Sequence, residues 1–238
     1  MSELLLPSLI VLFAATMQAC TGFGFSIMAT PFLLLFFPAH TAIQLNILLS
    51  IAISVLMIPE INRELDRALL RRMVVGSALG APIGAALFVM FDVQVLKLVI
   101  SVITIALTVL LALELRVAQT GRRDVAAGAL SGAFTTSLGM PGLPLLLYFS
   151  GTEVEQQQLR STVLAFFLGI YVAALALQAL FGVSEAQTWL TALLLLPATY
   201  AGVVAGRLLC RRISPAAFRS MTFAILISTG GYLLYSSI

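Results

Sequence analysis

Two short breaks in an otherwise apolar chain hold the groups that could do chemistry. They read Gln18-Ala19-Cys20-Thr21-Gly22-Phe23-Gly24-Phe25-Ser26 and Thr135-Thr136-Ser137-Leu138-Gly139-Met140-Pro141-Gly142-Leu143-Pro144. Glycine lets the chain turn sharply and proline cannot continue a helix, so backbone N–H groups should be left free at both breaks. Free amides, hydroxyls and the positive ends of helices that begin near Phe25 and Leu143 suit an anion.

The predicted anion site takes its residues from both breaks and from the starts of the spans that follow them. These residues are Gln18, Thr21, Gly22, Phe23, Gly24, Phe25, Ser26, Asn46, Thr135, Thr136, Ser137, Gly139, Met140, Pro141, Gly142 and Arg160. A glycine kink without a ligand explains the first break equally well, whereas the paired prolines and glycines of the second break favour a site. Asn46 could instead join two helices, and Arg160 could simply mark the cytoplasmic side.

Few groups are present for other kinds of chemistry. Glu60, Asp92, Glu114 and Glu185 fall at predicted span ends, whereas a buried cation site would usually recruit a carboxylate. His40 is the single histidine, and the sequence contains no HExxH zinc motif and no ATP-binding P-loop. These observations predict no enzyme activity, no metal site and no cofactor.

The composition indicates where the breaks must lie. Of the 238 residues, 61% are hydrophobic and 10% are charged, which excludes a soluble domain. Several apolar spans reach the roughly 20 residues that cross a bilayer. The lipid bilayer is therefore a predicted partner, and the net charge of +3 comes from loop arginines and not from a nucleic-acid site. The sequence leaves open whether the chain forms a homodimer.

The arginines predict the topology. If residues 125–150 enter the membrane and leave on the same side, all twelve arginines share one face and only Lys97 lies opposite. If that segment crosses the membrane once, seven arginines lie on one side, and the other five arginines and Lys97 lie on the opposite side. Short cytoplasmic loops carry an excess of Lys and Arg, which favours the first arrangement. Residues 125–150 are too few for two crossings, so we expect a re-entrant hairpin, which needs shielding by protein or a water-filled cavity.

The chain also shows signs of an internal duplication. Pro31 aligns with Pro144, and the Gly80/Gly84 pair aligns with Gly202/Gly206. The predicted fold is therefore all-α, with a first repeat over 1–115 and a second, inverted repeat over 124–238, in a single membrane domain. Each repeat contains a broken re-entrant hairpin, at 4–37 and 125–150, and three crossings. The two hairpin tips should approach each other near the midplane.

The same motifs give the chain a resemblance to a known family. Ala19-Cys20-Thr21-Gly22-Phe23-Gly24-Phe25 followed by Pro31, and Gly128-Ala129-Leu130-Ser131-Gly132 running to Gly139 and Pro144, resemble the TauE/SafE family of bacterial membrane transporters. The family is also called the toluene sulfonate uptake permeases, and the resemblance covers nearly the whole chain. It implies transport of sulfur-containing anions such as sulfite or organosulfonates.

These observations together predict a secondary transporter of a small anion that works by alternating access around the two tips. An anion channel of the same architecture is the alternative. The expected location is the bacterial inner membrane, with both termini outside. The sequence does not separate import from export, and it does not identify a coupling ion.

Overall fold

The computed structural model describes residues 4–61, 65–112, 118–149, 155–181, 186–209 and 235. The described part is helical, and no strand occurs in it. Nine helices are seen there: α1 (Leu5–Thr21), α2 (Phe25–Leu33), α3 (Ala39–Leu56), α4 (Arg67–Met90), α5 (Val93–Ala112), α6 (Gly121–Leu138), α7 (Gly142–Phe149), α8 (Gln156–Leu180) and α9 (Ala186–Leu209), with a 3₁₀ turn at Ile58–Glu60. The predicted span 216–235 lies, apart from residue 235, outside the described residues.

Four helices are long and apolar enough to cross a membrane: α3, α4, α8 and α9. The 24 residues of α4 extend over about 36 Å, somewhat more than the hydrocarbon thickness of a bilayer. Large apolar side chains such as Leu79, Leu180 and Leu194 are exposed on the outer surface of the protein, where only lipid would cover them well. The chain is a multi-pass membrane protein, and its all-α class is confirmed.

Both predicted breaks interrupt the helices. α1 ends at Gly22, whose φ is 80°, and α6 ends at Gly139, whose φ is 71°. This left-handed conformation costs an L side chain about 1–2 kcal/mol, and in each glycine the N–H bonds a carbonyl four residues earlier, which closes the helix. α2 and α7 are then only 9 and 8 residues long, so neither spans a bilayer.

Glycines set the closest helix contacts. α4 packs along α6, and α1 packs along α9. A Cβ added at Gly80 would overlap the Ala129 carbonyl, and one added at Gly206 would overlap the Thr16 carbonyl. Small residues at every fourth position therefore let the backbones approach, as the sequence predicts. α3 and α8 pack against each other at the centre, and they position the residues that face the two breaks.

Candidate functional site

Gln18 holds the first break in shape from the last turn of α1. Its Oε1 accepts a hydrogen bond from the Phe25 N–H at 3.0 Å, and its Nε2 donates to the Gly22 carbonyl at 3.3 Å. The Thr21 hydroxyl lies 2.6 Å from the Phe23 carbonyl and accepts from the Phe23 N–H at 3.2 Å. Gln18 and Thr21 therefore build the turn between α1 and α2, which is a structural use of two predicted site residues.

The second break is held from inside α6. Ser131 donates to the Pro141 carbonyl at 2.8 Å, and the Met140 N–H bonds the Phe134 carbonyl at 3.1 Å. Pro141 has no N–H to cap the end of α6, and Gly142 begins α7 directly after it. Met140, Pro141 and Gly142 are all buried, so the second tip lies within the protein.

The hydroxyls in the last turn of α6 point toward carbonyls. Thr135 donates to Ser131 at 2.6 Å, Thr136 to Ala81 at 2.8 Å, and Ser137 to Ala133 at 2.7 Å. The structure thus brings the three predicted residues to the second tip, but their hydroxyl hydrogens are engaged within the protein. Only the lone pairs of these oxygens remain available. Lone pairs accept hydrogen bonds, whereas an anion needs hydrogen-bond donors.

The start of α7 lies close to α2. A Cβ built on Gly142 would lie 3.4 Å from Ile27 Cδ1 and 3.6 Å from Phe167 Cζ, so the start of α7 faces the start of α2. The Phe23 ring packs edge-on against Phe167 with centroids 5.9 Å apart. Phe167 of α8 therefore lies between the two breaks, a position that the sequence did not predict.

Asn46 and Arg160 each reach the break of the other half of the chain. Asn46 Nδ2 donates to the Gly139 carbonyl at 2.6 Å, and Arg160 Nη2 donates to the Ala19 carbonyl at 2.6 Å. The guanidinium thus lies at the C-terminal end of α1, where the helix dipole favours positive charge. The Arg160 side chain also covers Gly22, where an added Cβ would lie 2.7 Å from Arg160 Cγ. Arg160 is therefore more than a topology marker.

Backbone amides at the starts of α2 and α7 lack protein partners among the described residues. Within the described ranges, the N–H groups of Ser26, Ile27, Gly142 and Leu143 bond no protein acceptor. The first N–H groups of any helix lack an intrahelical partner, and they carry its positive partial charge. Because the two helix starts face each other, these amides form a buried electropositive region without a lysine or arginine of α2 or α7.

A comparison with family models fits this arrangement. The model described as sulfite exporter TauE/SafE matches residues 8–233. The chain belongs to this family. No curated protein and no solved structure matches it. TauE/SafE proteins are membrane transporters and not enzymes. The matched residues include both breaks.

The TauE/SafE chain also buries several polar side-chain atoms, and of these residues the predicted site included only Asn46. In the described part of the chain, no hydrogen bond is made by the hydroxyls of Thr30 and Ser54 or by the amide oxygens of Asn46 and Gln178. Asn46, Ser50 and Ser54 are four residues apart along α3, so they share one face of that helix. This spacing is visible in the sequence, and it would have identified the polar stripe.

A buried carboxylate is the other feature that was missed. Asp124, in the first turn of α6, is fully buried, and its Oδ2 accepts from Arg72 Nε at 2.7 Å. The Tyr148 hydroxyl donates to Asp124 Oδ1 at 2.7 Å. The three residues join α4, α6 and the end of α7. Since both oxygens of the carboxylate are bonded within the protein, this cluster connects the start of α6 to the end of α7.

Proposed function

We propose that this TauE/SafE protein is a secondary transporter that carries a small sulfur-containing oxyanion, such as sulfite or an organosulfonate, across a bacterial inner membrane. The observation that carries the proposal is the meeting of the two helix starts, where the amides of Ser26, Ile27, Gly142 and Leu143 have no protein acceptor. Each hydrogen bond to a charged ligand contributes about 1.5–3 kcal/mol. A few such bonds account for binding without a buried cation.

Arg160 supplies a full positive charge at the first tip. It lies over Gly22 and bonds the end of α1, so it raises the local potential without having to bind the anion directly. Its part-buried position makes it a steering and positioning residue at one mouth of the site. The hydroxyl-rich turn of α6 supports the second tip by the hydrogen bonds of Thr135, Thr136 and Ser137.

The contacts support two inverted repeats. α1 packs on α9 as α6 packs on α4, and α3 packs on α9 as α8 packs on α4. Arg160 covers the first break as Asn46 covers the second. Gly22, which ends α1, corresponds to Gly139, which ends α6. In the same register, the contact of Gly80 with Ala129 corresponds to the contact of Gly202 with Leu12. The predicted alignment of Gly80/Gly84 with Gly202/Gly206 is therefore kept. For the hairpins, however, the helix ends favour an alignment shifted by four residues from the one that places Pro31 on Pro144.

This arrangement supports alternating access. The short helices α2 and α7 enter from opposite sides and place their positive ends at one central point, as broken helices do in other transporters with inverted repeats. The surrounding helices α3, α4, α8 and α9 then rock or open around that point, so that it communicates with one side of the membrane at a time.

Anion flux from proteoliposomes tests the proposal. The rate of sulfite efflux should saturate with sulfite concentration, and the turnover number should be that of a carrier and not that of a channel. Gly142→Val should abolish this efflux. The added side chain would fill the gap to Ile27 and Phe167. Gly169→Val is the matched control, because an added Cβ at Gly169 meets no atom within 4 Å. Non-saturating flux would indicate the channel instead. Normal transport by a correctly inserted Gly142→Val protein would place the site elsewhere.

A further inference from the structure

We propose that this chain also binds a monovalent cation, Na⁺ being the ion tested, at the C-terminal end of α6. Three buried side-chain oxygens lack a hydrogen-bond donor in the described part of the chain: Thr30 Oγ1, Asn46 Oδ1 and Gln178 Oε1. Asn46 and Gln178 both bond the end of α6, and the register of α2 and α3 brings Thr30 level with Asn46. The ion site does not depend on the proposed anion transport. Only the coupling between the two ions rests on that function.

The side-chain amides of Asn46 and Gln178 are fixed by the end of α6. Asn46 Nδ2 donates to the Gly139 carbonyl at 2.6 Å, and Gln178 Nε2 donates to the Thr136 carbonyl at 2.9 Å. These bonds also fix which end of each amide is oxygen, because only the NH₂ group can donate to a carbonyl. Both side chains are fully buried. Two amide oxygens are therefore held next to the same helix end, and neither receives a proton donor from the protein.

Thr30 joins this pair through the register of α2 and α3. The Tyr171 hydroxyl lies beside the hydroxyls of Ser26 and Ser50, so those two serines face each other across α2 and α3. The two helices are joined by only five residues, 34–38, and therefore run antiparallel. Thr30, one turn after Ser26, then lies level with Asn46, one turn before Ser50. A helical threonine normally bonds a carbonyl of the preceding turn, whereas the buried Thr30 hydroxyl bonds nothing.

The chemistry of these groups selects the ligand. The C-terminal end of a helix carries negative partial charge, and the carbonyls of Ser137 and Leu138 accept no hydrogen bond in the described structure. Neutral oxygens around a negative dipole end attract a hard cation and repel an anion. The described residues contain no cluster of three His, Cys, Asp or Glu side chains, which argues against a divalent or transition metal.

The position of the site explains how it can dispense with a carboxylate. The anion is proposed to bind at the electropositive tips, one of which is the start of α7 at Gly142. Gly142 lies three residues after Gly139, whose carbonyl accepts the hydrogen bond from Asn46. The bound anion itself would supply the negative charge that balances the cation. Each ion should then raise the affinity for the other, which is the requirement for coupled transport.

Thermal unfolding of the purified full-length protein tests the ion site. In equal concentrations of NaCl, KCl and choline chloride, the apparent melting temperature should be highest in NaCl. Thr30→Val removes the hydroxyl without breaking any protein hydrogen bond, so the variant should keep its stability in choline and lose the sodium increment. Ser54→Ala is the control, since it removes an equally unpaired hydroxyl about 12 Å from Asn46 along α3.

A titration with sulfite separates the ion site from the anion site. Wild type should bind sulfite roughly 5–150-fold more tightly in NaCl than in choline chloride. Equal melting temperatures of the wild type in all three salts would overturn the cation site, whether or not sulfite binds. A sodium effect that Ser54→Ala loses as completely as Thr30→Val would also overturn it. Sodium stabilisation without any sulfite binding would retain the ion site and reject the proposed anion transport.

Discussion

At the scale of single residues, the polar side chains near the breaks divide into those that the backbone uses and those that it does not. The hydroxyls of Thr135, Thr136 and Ser137 donate to carbonyls of α6 and α4, which is the usual behaviour of hydroxyls in a helix. The sequence predicted that these residues lie at the second break, but not that their hydroxyl groups donate to carbonyls of the protein. The proposed site therefore uses backbone amides, whose availability depends on helix starts and not on side-chain type.

A residue-scale prediction concerns Asp124 and Arg72. The carboxylate is 1% exposed and the Arg72 side chain 39% exposed, so removing the arginine strands the buried charge. Arg72→Gln should lower the unfolding free energy by roughly 3 kcal/mol, the lower end for broken buried pairs, because water reaches Arg72. Adding Asp124→Asn should restore part of this loss. Chemical unfolding in detergent would measure both, and an equal or larger loss in the double variant would contradict the explanation.

At the scale of helices, small residues decide which elements can pack together. Gly80 lies against the Ala129 carbonyl, and Gly202 and Gly206 lie against Leu12 and Thr16 of α1. These contacts hold the long helices α4 and α9 to α6 and α1, the helices that end at the breaks. The positions of the tips therefore depend on backbone contacts remote from them. The sequence predicted close approach from glycine spacing, but it could not name the partner helix, because spacing contains no information about the neighbour.

An element-scale prediction follows for Gly80. The methyl group of Gly80→Ala would overlap the Ala129 backbone, which cannot move aside as a side chain can. We expect overpacking to destabilise the protein by about 1–3 kcal/mol and to lower transport with it. Gly169→Ala in α8 meets no atom, so helix propensity alone should stabilise that variant by up to about 1 kcal/mol. Apparent melting temperatures would compare the two, and a loss of equal size in both would show that helix packing is not the cause.

At the scale of the whole molecule, the sequence predicts the helical class and the positions of both breaks, but not the side-chain partners around them. Apolar lengths and helix-breaking residues are local properties, so the helical class and both breaks could be read directly. The burial of Asp124 could not, because it depends on Arg72 and Tyr148, which lie 52 and 24 residues away. The partners of Arg160 and Gln178 are likewise distant in sequence. Side-chain partners arise from packing, which a single sequence does not specify.

The whole-molecule prediction is the orientation in the membrane. If the arginine distribution sets topology, α4 runs from the cytoplasm outward, so Gln94 at the start of α5 faces the periplasm and Gln157 at the start of α8 faces the cytoplasm. Both glutamines are exposed, which makes Gln94→Cys and Gln157→Cys a matched pair in a cysteine-free background. A membrane-impermeant maleimide added to intact spheroplasts should label the first variant and label the second only after lysis. The inverted arrangement requires that these two helix starts lie on opposite sides, because residues 125–150 return to the side from which they enter. Labelling of both variants in intact spheroplasts would mean that this segment crosses the membrane, and the inverted repeats would have to be abandoned.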